Sequence, residues 1–369
     1  MKIAFDGKRF FNNSSGLGNY SRDLVRVLAT HFPAHEYLLL NKSKTAKGES
    51  ILSLTNVDFI PTSKGNLSRQ LKMGKDAQNA DADVFHGLSG ELPLKWNKKP
   101  IRKVVTIHDL IFLKFPKYYS FFDRKIHLWK FRQAANQADR VIAISEQTKR
   151  DIIHYLKVPE HKINVVYQGC HAAFKSKKTD EERSVVKLKY SLPERFILNV
   201  GTIEERKNLL NVVKAITDSE IPLVVVGKKT RYFGHVQKYL IKNKMQQRVH
   251  FLEGVSMDEL AAIYQLADIF VYPSVYEGFG IPVIEALFSG TAIITSNRSS
   301  LPEAGGPDSL YVDPYNVADL KAKVLFLWEN KSERDRRAEK GLRYVTKFED
   351  EEVAADLMRV YESLLNKQE

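Results

Sequence analysis

The chain has 369 residues, 43% of them hydrophobic and 27% charged, which excludes the disordered, collagen-like and membrane-spanning classes and leaves room for two domains. Lys and Arg number 57 against 44 Asp and Glu, a net charge of +13 that invites an anionic partner. The one cysteine, Cys170, excludes an internal disulfide framework and a Cys-rich zinc site.

The first apolar run, residues 2–5, is too short before Asp6 to be a signal peptide. No stretch approaches the roughly 18 apolar residues of a spanning helix. A cytoplasmic protein is expected, at most peripheral on the inner face of a membrane. Further short apolar runs at 36–40, 84–86, 104–108 and 141–145 read as buried parallel strands, with helical spacing at 19–31 and 124–138 between them. A Lys-rich stretch without apolar period, 175–182, reads as a linker. The pattern then restarts, with strands at 196–200, 223–226, 249–252, 269–272 and 292–295. Helices are expected at 209–217, 257–265, 282–288 and 318–330. A last helix at 350–365 has Val353, Leu357, Val360 and Leu364 on one side, so it packs on something. Alternating strands and helices define an α/β fold of two doubly wound domains, 1–172 and 173–349, with a cleft between them at the carboxyl ends of the strands.

Four places have residues suited to chemistry. In Glu277-Gly278-Phe279-Gly280-Ile281-Pro282-Val283-Ile284-Glu285 a glycine loop follows a strand and opens a helix, with proline in its first turn. Its two glutamates either face one crevice or are a loop glutamate and a solvated helix glutamate. Gly201-Thr202-Ile203-Glu204-Glu205-Arg206-Lys207-Asn208 follows another strand. There Arg206 and Lys207 are suited to a diphosphate, or else form an exposed basic turn. Gly16-Leu17-Gly18-Asn19 lies between the first strand and its helix, where glycines let backbone approach a phosphate or sugar, or simply make a turn. His108-Asp109 ends a strand, where the imidazole either hydrogen-bonds a substrate hydroxyl or caps the next turn; His86 ends another. Asp81-Ala82-Asp83 sits at the amino end of its strand and reads as structural, and Ser145 as a helix N-cap.

Between 95 and 132 there are eleven Lys and Arg against Asp109 and Asp123, a local charge of +9. Trp96, Phe112, Phe115, Tyr118, Tyr119, Phe121, Phe122, Trp129 and Phe131 are interleaved with them. Such a mixture suits an anionic membrane interface, and also single-stranded nucleic acid.

In this order, the motifs resemble those of the retaining family-4 glycosyltransferases of the two-Rossmann-domain GT-B type, over essentially the whole chain. Glu277 and Glu285 match the family's E-x7-E, residues 201–208 its donor loop, His108-Asp109 its H-D, and Gly16 to Gly18 its first glycine loop. The resemblance implies two Rossmann-like domains facing a central cleft, with the helix at 350–367 crossing back to complete the first. That first domain would bind the acceptor, and the second a nucleotide-sugar donor linked to GDP or UDP. Arg206 and Lys207 would hold the diphosphate in place of a metal ion. Glu277 would bind the transferred sugar beside the Phe279 and Gly280 amides, and Glu285 the ribose. His108 would contact the sugar near the reacting centre, with Gly16 and Gly18 lining the donor through backbone. Two positions depart from the family: Ser15 precedes Gly16 where two glycines are usual, and Asn19 stands where Arg is common. The implied activity is transfer of a hexose, leaning to mannose, onto a polysaccharide or lipid-linked oligosaccharide, without metal. A nucleotide-sugar 2-epimerase or a phosphorylase of the same fold is the alternative. A nucleic-acid binder is supported by charge alone and leaves Glu277 and Glu285 unexplained.

Overall fold

The computed structural model describes residues 1–13, 16–65 and 67–366. The chain divides into two compact units, Met1–Gln168 with Glu349–Glu369, and Gly169–Phe348. The first unit is built on seven strands: β1 (Lys2–Asp6), β2 (Glu36–Asn41), β3 (Val57–Pro61), β4 (Val84–Gly87), β5 (Arg102–Ile107), β6 (Arg140–Ala143) and β7 (Ile163–Val165). They lie in the order β3-β2-β1-β4-β5-β6-β7, and every pair is parallel. The second unit has β8 (Ile197–Val200), β9 (Leu223–Val226), β10 (Val249–Leu252), β11 (Ile269–Tyr272), β12 (Ala292–Ser296) and β13 (Leu310–Val312). Their order is β10-β9-β8-β11-β12-β13, again all parallel. In each sheet the strand order reverses once, between β1 and β4 and between β8 and β11, the place where ligands collect in doubly wound sheets.

Inner strands of parallel sheets are covered on both faces and read as unbroken apolar runs. Ile3, Ala4 and Phe5 of β1 and Ile269, Phe270 and Val271 of β11 are fully buried, which is why the sequence reveals them. The strands it does not reveal, β3, β7 and β13, lie at sheet edges. In β3, Asp58 is exposed while Phe59 and Ile60 are half-buried, so no continuous run forms.

The helix Asp350–Leu365 packs within the first unit, as the resemblance implied; residue 367 lies outside the described residues. Its Ala354, Leu357, Met358, Val360, Tyr361 and Leu364 share one core with Ile3, Phe5, Leu24 and Leu28. At its first turn Asp350 pairs with Arg26 at 2.7 Å. Residues 175–182 are not simply a linker. Thr179 caps the helix Asp180–Lys189, with Glu182 reaching back to close a capping box. Only Val186 of that helix is buried, while Val185 and Leu188 are exposed, so its period does not show in the sequence. No helix among the described residues is long and apolar enough to cross a membrane.

Candidate functional site

At the end of β8, Gly201 leaves the sheet at φ +139, a conformation open to glycine. One 3-10 turn, Glu205–Lys207, follows, and Asn208 at φ +62 starts the helix Leu209–Ala215. The Asn208 side-chain amide donates to the carbonyls of Pro273 (3.1 Å) and Pro314 (2.7 Å). Ser274 Oγ donates to the Arg206 carbonyl at 3.1 Å. The cationic turn is thereby fixed to the loop that follows β11.

That loop carries Glu277, which is 8% exposed. Its Oε1 accepts from Lys207 Nζ (2.8 Å), the Tyr272 hydroxyl (2.9 Å) and Ser274 Oγ (2.7 Å). Its Oε2 meets Arg206 Nη1 at 2.9 Å, and Arg206 Nη2 pairs with Glu204 at 2.6 Å. The Glu277 amide donates to Ser299 Oγ at 3.0 Å, and Ser300 Oγ donates to the Glu277 carbonyl at the same distance. Burial pushes the Glu277 carboxyl up, but Lys207 and Arg206 outweigh it and hold it at about 2. Burial lowers Arg206, and Glu277 with Glu204 raises it further than burial takes it down. An ionised carboxylate thus holds one guanidinium and one ammonium side by side at the carboxyl edge of the sheet. Lys207 also donates to the Tyr272 hydroxyl, so one of its three N–H groups is left for another acceptor.

The helix Ile281–Phe288 starts where Gly280 takes φ +125, with Pro282 in the first turn. A Cβ on Gly280 would press on Leu301 and Ala304 at 3.0 and 3.2 Å. Phe279 is buried against Phe348, ring centroids 5.2 Å apart, so its side chain is core and any ligand contact there is through backbone. Glu285 is 9% exposed and accepts from the Tyr264 hydroxyl at 3.0 Å. Burial pushes its carboxyl up to about 7, against the Tyr264 bond and the charge of Lys207. Lys207 therefore both pairs with Glu277 and influences Glu285. Tyr272 and Tyr264 are missed by the sequence reading because strand and helix periodicity accounts for them as core, and Ser274 because it reads as part of the turn after the strand.

The first unit brings different chemistry to its strand ends. Gly16 opens the helix Gly16–His31, and a Cβ on Gly18 would fall 2.1 Å from the Asn13 carbonyl oxygen. The amides of the first turn have no intrahelical partner. Ser15 lies outside the described residues, and Asn19 accepts from Arg22 at 2.7 Å. His108 follows β5. Its Nε2 donates to the Leu88 carbonyl and its Nδ1 accepts from Gln168, both at 2.9 Å. Burial lowers it to about 4, so the imidazole is neutral at physiological pH. To hydrogen-bond a substrate, either nitrogen must give up one of these partners. His86 is fully buried between the Tyr361 hydroxyl (2.6 Å) and Thr106 Oγ1 (2.8 Å), and burial takes it to about 3. Thr106 in turn meets the Tyr20 hydroxyl at 3.2 Å, and the Tyr20 ring stands edge-on to His108 with centroids 4.4 Å apart.

The smaller expectations have simple outcomes. Asp83 accepts the Lys2 amide at 2.8 Å and Asp81 pairs with Lys99, both structural, and Ser145 caps Glu146–Asp151. No group of three or more His, Cys, Asp or Glu placed to hold a metal ion occurs among the described residues. The basic aromatic region separates into two sets. Phe112 is buried, and Trp96 and Phe131 pack inward against Phe85 and Phe112. Tyr118, Tyr119, Phe121, Phe122, Ile126 and Trp129 are exposed, Phe122 at 78%. Lys117 lies over the Tyr118 ring, and Arg124 and Lys125 over Phe121.

Two Rossmann-like parallel sheets are those of the GT-B fold, and the second ends in a carboxylate-braced pair of cations. Residues 180–343 match the family described as Glycosyl transferases group 1, and residues 14–174 match Glycosyltransferase Family 4. The chain belongs to the family-4 glycosyltransferases and is a hexosyltransferase. It is 25% identical to an Escherichia coli protein named O-antigen chain mannosyltransferase B, over 99% of this chain and all of that one. Among solved structures, a glycosyltransferase from Rickettsia africae ESF-5 superposes with a TM-score of 0.79 at 18% identity, covering 100% of this chain and 99% of that one. Anabaena Alr3699/HepE, solved in complex with UDP and glucose, gives 0.76 at 16% identity, covering 99% and 100%.

Proposed function

We propose that the chain transfers a hexose, with mannose favoured, from a nucleoside-diphosphate sugar to a saccharide acceptor, with retention of configuration and no bound metal. The observation that carries this reading is Glu277 held among Lys207, Arg206, Tyr272 and Ser274. In the reaction the bond from the anomeric carbon to the diphosphate breaks and a new one to the acceptor oxygen forms. The acceptor proton passes to the departing phosphate. Arg206 and Lys207 neutralise the charge that develops on that phosphate, the part a metal ion plays elsewhere. Glu277 takes hydroxyls of the transferred sugar, Glu285 those of the ribose, and His108 contacts that sugar near the reacting centre. Mannose, hence GDP-mannose, is supported by the E. coli relative's name, while UDP-sugars fit the same residues. The 2-epimerase alternative has no observation of its own in its favour.

The acceptor we favour is part of a growing polysaccharide, lipid-linked, with the enzyme peripheral on the inner face of a membrane. Exposed aromatics interleaved with cations support this, since rings partition to the interface while cations meet anionic headgroups. Charge reversal at Lys114, Lys117, Arg124 and Lys125 should then release the protein from anionic vesicles, and unchanged binding refutes the membrane part. For the transfer itself, the test is product analysis with GDP-mannose and UDP-hexoses against oligosaccharide acceptors. A new glycoside of retained anomeric configuration is expected. A free epimerised sugar nucleotide formed without acceptor contradicts it.

A further inference from the structure

The strand ends of the first unit carry a charge cluster that the family motifs do not account for. Arg69 is clamped between Asp6, which ends β1, and Glu91, in the loop after β4. Its Nη2 and Nε reach Asp6 Oδ2 at 2.6 and 2.7 Å. The other Asp6 oxygen accepts the Lys8 amide at 3.1 Å, and the other Glu91 oxygen meets Lys130 at 3.3 Å. Both carboxylates are therefore committed. Two cations next to them are not matched: among the described residues neither Lys8 nor Arg9 has an ion-pair partner. Arg9 Nε is buried and has no hydrogen-bond partner. Burial is the main cause that lowers Lys8 and His108, and the charge of Arg9 adds to it at both, so Arg9 lies between the cluster's edge and His108. The turn is tight: a Cβ on Gly7 would fall 2.8 Å from the Leu40 carbonyl oxygen, which fixes where Lys8 and Arg9 leave β1.

A buried guanidinium donor without an acceptor is costly unless a ligand supplies one. We propose that Lys8 and Arg9, backed by Arg69, form an anion subsite that takes a phosphate ester, namely the phosphate linking the acceptor to its lipid. This deepens the reading of the acceptor given above and rests on it. The choice of a lipid phosphate follows from the neighbouring helix Phe121–Gln137. Lys130 of that helix contacts Glu91, and the Phe131 ring closes over Gly90, where a Cβ would be 2.5 Å away. Ile126, one turn before Lys130, and Trp129, next to it in the chain, are each 52% exposed, so apolar surface adjoins the charged cluster. The donor's own diphosphate is the other source of the same chemistry, and the experiment separates the two.

Calorimetric titration of the full chain with geranyl diphosphate is done in the presence of saturating GDP or UDP, whichever binds, so that the donor site is filled. The wild type should bind it. Lys8→Gln/Arg9→Gln should weaken it at least tenfold while changing nucleotide affinity less than twofold, and Lys207→Ala should do the reverse. Lys8→Gln alone, at an exposed position, should weaken it by a smaller factor and serves if the double variant is misfolded. The subsite is overturned if the wild type does not bind the probe, if the Lys8 and Arg9 variants bind it unchanged, or if they lose the nucleotide instead. Failure of nucleotide binding in the wild type is a different result, and contradicts the proposed function rather than this subsite.

Discussion

Two polar groups, one in each sheet's neighbourhood, are of opposite kinds. After β8 and β11, charges are matched and close: Arg206 and Lys207 share Glu277, with Glu204 behind. In the first unit, beside the Arg69 cluster, lies a neutral set in which His86, Thr106, Tyr20 and Tyr361 are joined by hydrogen bonds. In the proposed reaction the first arrangement stabilises developing charge, whereas the second fixes shape. Substitutions in the two should therefore fail differently.

The largest effect is expected from Lys207→Ala and Arg206→Ala. On the proposed reading each removes a donor to the departing charge, which typically costs about 10²–10³ in turnover. Steady-state transfer rates check this, and a loss under about fivefold would show that the pair does not serve the chemistry. Tyr272→Phe leaves a buried ionised carboxylate one donor short and should cost roughly 1.5–3 kcal/mol of stability in urea unfolding. Thr106→Val, in the neutral network, should cost ~1–3 kcal/mol because it strands His86 and Tyr20. Its turnover should stay within a few-fold of wild type, and a large loss there would erase the contrast between the two regions.

The pH dependence gives a smaller and sharper test. The ordinary value of both glutamates is 4.5, with Glu277 displaced to about 2 and Glu285 to about 7. The stability Glu277 contributes is present above 4.5 and lost as pH falls through about 2. For Glu285 the sign reverses: its contribution is full below 4.5 and lost as pH rises through about 7. If Glu285 accepts ribose hydroxyls as a carboxylate, nucleotide affinity should decline as pH falls through about 7. Tyr264→Phe removes a bond that lowers this pKa, so the midpoint should move upward. Nucleotide dissociation constants measured across neutral pH decide it, and a flat profile would remove Glu285 from the ribose site.

The same contrast explains how much the sequence discloses. Chemistry carried on contiguous loops, such as 201–208 and 277–285, is legible because strand, glycine and charged residue fall within a few positions. The inner strands are legible because both faces are covered, whereas β3, β7 and β13 lie at edges and carry mixed faces. What brings Tyr272, Ser274 and Tyr264 to the two glutamates is tertiary packing; local periodicity assigns the tyrosines to core and leaves Ser274 in a turn. The Arg69 cluster joins residues 6, 69, 91 and 130, separations at which no motif can signal.

The central claim is that Arg206 and Lys207 hold a donor diphosphate without a metal ion. Its most direct test is calorimetric titration of GDP and UDP in EDTA, with wild type and Lys207→Ala side by side. One nucleotide should bind the wild type with EDTA present, and Lys207→Ala should bind it at least tenfold more weakly. Binding that needs a divalent cation, or that is indifferent to Lys207, would contradict the account.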